Sequence, residues 1–211
     1  MLTLYYCPGA CSMAAHIVIE ETGAPYEGKA VLIPKGEHRT EAYAAVNPRN
    51  QVPALSVDGK VITECVAILT YLARRYPDAR LLPADDIDQA RCLATLAWIA
   101  SAVDPLFRRA ARPERFVADE AAQLAVKEAA REAYWGKCRE IDGMLSGKMW
   151  MMGTQYSVCD PYALVYFGWG QRLGLPMAEL ENYCAFRNRM LERPAVRRVL
   201  EREQSPILKA A

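Results

Sequence analysis

Hydrophobic and polar positions change their period part-way along the chain. Residues 2–6 (LTLYY) form a short β-prone run that Pro8-Gly9 ends, and residues 12–23 (SMAAHIVIEETG) take up helical spacing. In that helix Ile17 and Val18 face inward and Gly23 serves as the C-terminal cap. A second strand is predicted over 26–33 (YEGKAVLI) and a short helix over 37–46 (EHRTEAYAAV). Residues 52–64 (VPALSVDGKVITE) hold two strands about Asp58-Gly59, a strong two-residue hairpin signal. An amphipathic helix follows over 64–76, with Thr63 as its cap, Glu64 in its first turn and Pro77 as its stop. The order over residues 1–77 is therefore β-α-β-α-β-β-α, an α/β unit with short connections.

Beyond this the alternation disappears. Residues 78–86, inside PDARLLPADD, read as a linker, and residues 87–211 show only helical runs, at about 87–110, 119–146, 160–172, 179–192 and 194–203. Within YSVCDPY (156–162), Ser157 and Asp160 form a capping-box pattern, and Pro161 suits a first helical turn. The fold class that follows is an α/β N-terminal unit joined to an all-α C-terminal unit.

Composition narrows the function classes. The 26 basic and 25 acidic side chains nearly cancel, so no net field recruits nucleic acid or an acidic membrane. The densest basic stretch, RRAARPER (108–115), carries a Glu and no interleaved aromatic, and reads as a helix end, its exit turn or part of a pocket rim. The N-terminus lacks the features of a secretory signal, and the longest apolar runs fall short of the ~20 residues that span a bilayer. Seven cysteines, at 7, 11, 65, 92, 138, 159 and 184, are scattered with no CxxC pair, which points to free thiols in a reducing cytoplasm. His16 and His38 have no ligand-like spacing to them, so no metal site is expected.

Candidate chemistry gathers at element starts. Cys11 lies where the first turn hands over to a helix; unpaired amides and the helix dipole there favour a thiolate, and Ser12 beside it can donate a hydrogen bond. Packing is the competing reading. Cys7, directly before Pro8, is a strand-end packing residue or an attacking thiol. Gln51-Val52-Pro53 opens a strand, and a cis Pro53 would present the Val52 backbone sideways to a peptide. At Glu64-Cys65, helix amides beside a free carboxylate can hold the two ends of an amino acid.

Taken together, YYCPGACSMAAHI, NPRNQVPAL and ITECVAILTYLARRYP, followed by an all-helical unit, resemble a cytosolic glutathione S-transferase. Cys11 within PGACS, with AVDPLFRRAARPERF and YSVCDPYALVYFGW, is most similar to the bacterial beta class. The resemblance implies a thioredoxin-like N-terminal domain that binds glutathione as co-substrate, a helical domain that builds most of a site for a small hydrophobic electrophile, and a homodimer. It implies that Val52, before a cis Pro53, pairs with the cysteinyl unit of glutathione. Glu64 and Cys65 would hold the γ-glutamyl end with Gln51 nearby, and Lys35 the glycyl carboxylate. Phe107, Phe116, Tyr162 and Trp169 stand where the family builds its hydrophobic site. An aromatic stripe at such spacing is also ordinary core.

Three positions depart from the family pattern: Cys65 stands for Ser or Gly, Ala97 for an occasional Asn, and Asp104 for a histidine near the thiol. An ionised Asp104 beside a thiolate would raise the thiol pKa, unless it pairs with an arginine such as Arg108 or Arg112, or stays protonated. Three functions fit the residues: conjugation of glutathione to electrophiles, thiol–disulfide exchange through a Cys11 mixed disulfide with Cys7 as a resolving thiol, and ligand binding without turnover.

Overall fold

The computed structural model describes residues 1–209. Strands β1 (Leu2–Tyr6), β2 (Tyr26–Ala30), β3 (Ala54–Val57) and β4 (Lys60–Thr63) form one sheet in the order β2-β1-β3-β4. β1 pairs parallel with β2, and antiparallel with β3. The β3–β4 turn is Asp58-Gly59, both at positive φ (48° and 84°), the backbone that a two-residue turn matched to strand twist requires. Helices α1 (Ser12–Thr22) and α3 (Cys65–Arg75) pack together, with Leu4, Leu55, Ile17 and Leu69 buried around them. Gly23 caps α1 as expected, at φ 67°.

Two predicted elements are shorter than their sequence pattern. β2 ends at Ala30 rather than residue 33, because the chain turns into a 3-10 segment, Ile33–Lys35, at Pro34. The Leu32 amide donates to the Glu37 carboxylate (2.7 Å) instead of to a strand. Over 37–46, Thr40 is extended and interrupts the helix, so that only α2 (Glu41–Ala44) forms, capped by the Thr40 hydroxyl accepting from the Tyr43 amide.

The rest is helical: α4 (Asp86–Trp98), α5 (Asp104–Ala111), α6 (Glu120–Leu145), α7 (Cys159–Arg172), α8 (Glu181–Glu192) and α9 (Pro194–Arg202). The run expected at 87–110 is one rod in which α4 and α5 are joined by a π-helical turn, Ile99–Val103. Pro105 explains it. Proline has no amide to donate four residues back and its ring crowds that carbonyl, and a wider turn relieves the clash. The Asp104 amide accordingly reaches Ile99 O. By length and composition alone the rod could span a membrane. It nevertheless sets Cys92, Leu96, Ile99, Val103 and Phe107 into the protein core.

α7 is buried from Cys159 to Gly170 and is the axis of the helical part. The Asp160 half of the capping box forms at its start: the Ser157 amide donates to Asp160 Oδ2 (2.7 Å), whereas Ser157 Oγ accepts from the Cys159 amide (3.3 Å) and the Asp160 amide goes to the Ser157 carbonyl (3.1 Å). Asp160 Oδ1 takes the Met151 amide as well (2.7 Å). Gly168 and Gly170 admit Ile207 and Met177 so closely that a Cβ would lie 2.6 and 2.3 Å from their side-chain atoms. One continuous hydrophobic cluster runs from Leu4 and Ile17 through Leu96 and Tyr134 to Phe167, because α1 is clasped between α3 on one side and α7 and α9 on the other.

Candidate active site

The starts of α1, β3 and α3 converge on an open cleft of about 520 Å³, solvent space at its mouth included, bordered on its far side by α5 and α7. Its sheet-side wall is Cys11, Gln51, Val52, Pro53, Glu64 and Cys65; the helical wall is Ala100, Asp104, Arg108 and Tyr162.

Each sheet-side residue is placed by local backbone. Cys11 is the N-cap residue of α1, 9% exposed, and its Sγ lies 3.7 Å from Val52 O. The Val52–Pro53 peptide is cis. Among the described residues the Val52 N–H has no hydrogen-bond partner, while the preceding Gln51 carbonyl is held by Tyr43 Oη and Asn47 Nδ2, both at 2.7 Å. Glu64 precedes α3 at φ 70° and leaves its carboxylate 65% exposed, 3.7 Å from Arg49. Thr63 does not cap α3: its hydroxyl accepts from Arg49 Nη1 (3.2 Å), and the positive φ of Glu64 carries the chain into the helix. The first amides of α3, left unpaired as at any helix start, border the cleft at Cys65 and Val66. The Cys65 thiol donates to Cys11 O (3.3 Å), and the neighbouring Cys11 side chain together with burial pushes its pKa well up.

On the helical wall Asp104 is 5% exposed, and both carboxylate oxygens accept from Arg108 Nε, at 2.9 and 2.7 Å. Tyr162 is buried at the cleft floor, edge-on to Tyr166.

The first 74 residues match the family model for the glutathione S-transferase N-terminal domain. Over 209 residues the chain is 35% identical to glutathione S-transferase GstA of Escherichia coli O157:H7, covering 96% of this chain and 98% of that protein. The chain belongs to the glutathione S-transferase family. Among solved structures, a Sulfitobacter glutathione transferase homologue with bound glutathione superposes with a TM-score of 0.91 at 28% identity, over 96% of this chain and 98% of that one. A bacterial beta class glutathione S-transferase of Sphingomonas chungbukensis gives 0.84 at 33%, over 95% and 98%.

Other residues that the sequence singles out in this family member stand apart from the cleft lining. Ser12 is fully buried and committed to the Cys7 backbone, accepting from its amide (3.0 Å) and donating to its carbonyl (3.2 Å), so it holds the turn. Cys7 packs with Val31, Tyr43 and Val52 in a small separate core, and burial raises its thiol pKa. Lys35 is exposed on the 3-10 turn. Phe107 stacks on Trp169 at 3.9 Å inside the core, joined to Tyr162 through Tyr166, and Phe116 is 49% exposed beside Arg109.

A grip on the Cys11 loop escaped the sequence reading. The Gly9 carbonyl accepts from Trp169 Nε1 (2.9 Å), and the Gly9 amide donates to Glu203 Oε2 (3.1 Å). The other oxygen of Glu203 meets His16 Nδ1 at 2.7 Å, with both side chains fully buried. Residues 160 and 194 positions away thus hold Gly9 from both sides, and no local pattern signals such a contact. Arg108 had a signal: it stands four residues after Asp104, one helical turn on.

Proposed function

We propose that the chain is a beta-class glutathione transferase that binds glutathione along the sheet-side wall and conjugates it to a small hydrophobic electrophile. The observation that carries this is the meeting of an unpartnered Val52 amide, the Cys11 thiol and the amide-rich start of α3 with Glu64 in one cleft. Those groups are the complement of an extended tripeptide. The Val52 backbone pairs with the cysteinyl unit. The α3 amides take the γ-glutamyl carboxylate, and Glu64, with Gln51 alongside, its ammonium. Lys35, exposed and with no ion pair among the described residues, is assigned the glycyl carboxylate. The bound glutathione of the Sulfitobacter homologue supports the ligand, and the beta class of the Sphingomonas chungbukensis enzyme supports the class.

The glutathione thiolate attacks an electrophilic carbon; a C–S bond forms and the leaving group departs with its electron pair. Residues 1–77 act as the glutathione-binding domain, 78–86 as linker and 87–211 as the co-substrate domain. Tyr162, which lines the cleft, is assigned to the co-substrate site, as are the Phe107–Trp169 stack deeper in the core and the exposed Phe116. Along the α4 rod Ile87, Ala90, Ala94, Ala97 and Ser101 are exposed at spacings of three and four, a close-packing stripe suited to a second copy of the chain in a homodimer. Seven free thiols suit the cytoplasm.

Calorimetric titration with glutathione and thioether formation from an activated aryl chloride test the reading. Binding with neither conjugation nor disulfide reduction would replace it with ligand carriage. The position of Cys11 at the cleft favours a second reading, in which its thiolate attacks glutathione disulfide, releases one glutathione thiolate and retains the other as a mixed disulfide. A Cys11→Ala variant that still conjugates keeps the first reading in place.

A further inference from the structure

Asp104 and Arg108 form one unit on α5. A carboxylate that is 5% exposed needs a partner, since an unpaired buried charge is costly. Arg108 supplies one through Nε alone, the inner edge of the guanidinium. Its terminal Nη1 and Nη2 have no hydrogen-bond partner among the described residues, and its side chain is 48% exposed at the cleft. Asp104 is therefore neutralised at its root, and the outer end of the pair presents positive charge.

The surrounding groups leave this charge uncontested. Glu64 on the opposite lip is answered by Arg49. The Cys65 proton is held by Cys11 O. Burial keeps Tyr162 and Tyr166 protonated. Among the described residues that line the cleft, Arg108 is the only cation, and it shares that lining with Cys11.

We propose that Arg108 donates to the glutathione sulfur and stabilises its thiolate, and that Asp104 is the positioning residue that aims the guanidinium. The inference rests on glutathione occupying the cleft. Ionisation releases the thiol proton to water through the open face, and the guanidinium offsets the charge left on sulfur, together with the amides at the start of α1. The departure from a histidine at position 104 then carries no penalty for the thiolate, because the Asp104 charge is spent on Arg108.

The test is the pKa of enzyme-bound glutathione, followed by the ultraviolet absorbance of its thiolate, with glutathione Kd measured alongside. An opposite charge a few ångströms away lowers an acid's pKa by about 1–3 units, so Arg108→Gln should raise the bound thiol by roughly 1 unit or more, and Arg108→Lys by less. The Asp104→Asn/Arg108→Gln double variant decides the cause, and because it buries no charge it also serves if the single variant fails to fold. It should stay above wild type, because the cation is gone. A return of the double variant to the wild-type value would overturn the inference, by showing that uncovering Asp104 had produced the shift. An unchanged thiol with a raised KM confined to carboxylate-bearing acceptors would also overturn it, by assigning Arg108 to the acceptor. A wild-type protein that binds no glutathione would instead remove the underlying function.

Discussion

The two walls of the cleft are built on different principles. The sheet-side wall is mostly backbone: the Val52 amide, the Cys11 turn and the first amides of α3, with Glu64 as its one charged side chain. The helical wall is mostly side chain: the Asp104–Arg108 pair and Tyr162, on elements that owe their position to a π-turn and to the buried α7. A backbone wall tolerates substitution as long as the chain's path survives. A side-chain wall changes chemistry with a single residue, and here the residue that sets the charge is Asp104.

Four measurements can break or sharpen that contrast. The largest effect is expected where the walls are tied together. Glu203→Ala leaves the Gly9 amide and His16 without their acceptor in a buried site, and should cost about 3 kcal/mol of unfolding free energy, read by chemical denaturation. A loss below about 1 kcal/mol would show that Trp169 alone holds the loop.

Next comes the pH response of α7, the helix that carries Tyr162 of the helical wall. Burial raises the Asp160 carboxyl from 3.8 to about 7. The folded state therefore binds its proton more tightly than the unfolded chain, and stability should fall as pH rises between those values, then level off. The Tm difference between wild type and Asp160→Asn should shrink by a few degrees across that interval, and a constant difference would contradict it. The sheet-side wall contains no counterpart to this buried acid among its described residues.

Smaller still, Glu64→Gln should weaken glutathione binding about tenfold, the worth of one charge-assisted contact at a half-open site. The smallest change is expected at Val52→Ala. The backbone does the recognising there, so glutathione Kd should stay within about threefold of wild type, although Val52 is buried. A loss comparable to that of Glu64→Gln would mean that the sheet-side wall also depends on side chains.

Much of this fold is legible in the sequence. The Asp58-Gly59 hairpin, the Gly23 cap and the bond from the Ser157 amide to Asp160 follow from residues within a few positions of one another. Errors arose where local pattern met a local competitor. Pro34 cut β2 short, Thr40 left a single turn of helix over 41–44, and the positive φ of Glu64 replaced the expected Thr63 cap. At the site, eight predicted residues line the cleft: Cys11, Gln51, Val52, Pro53, Glu64, Cys65, Asp104 and Tyr162.

By itself the sequence determined the order of elements, the family and the identity of the thiol at the start of α1. Each depends on spacing along the chain, which turn geometry and helical period convert directly into structure. Only the tertiary structure decided what surrounds that thiol. Ser12 turned to the Cys7 backbone, Cys65 gave its proton to Cys11 O, Glu203 and Trp169 closed on Gly9, and Arg108 took the Asp104 carboxylate at the cleft. Burial is the reason. Once water is excluded an unpaired polar group is costly, so most find a partner, and which partner is within reach is set by how α1 lies between α3, α7 and α9.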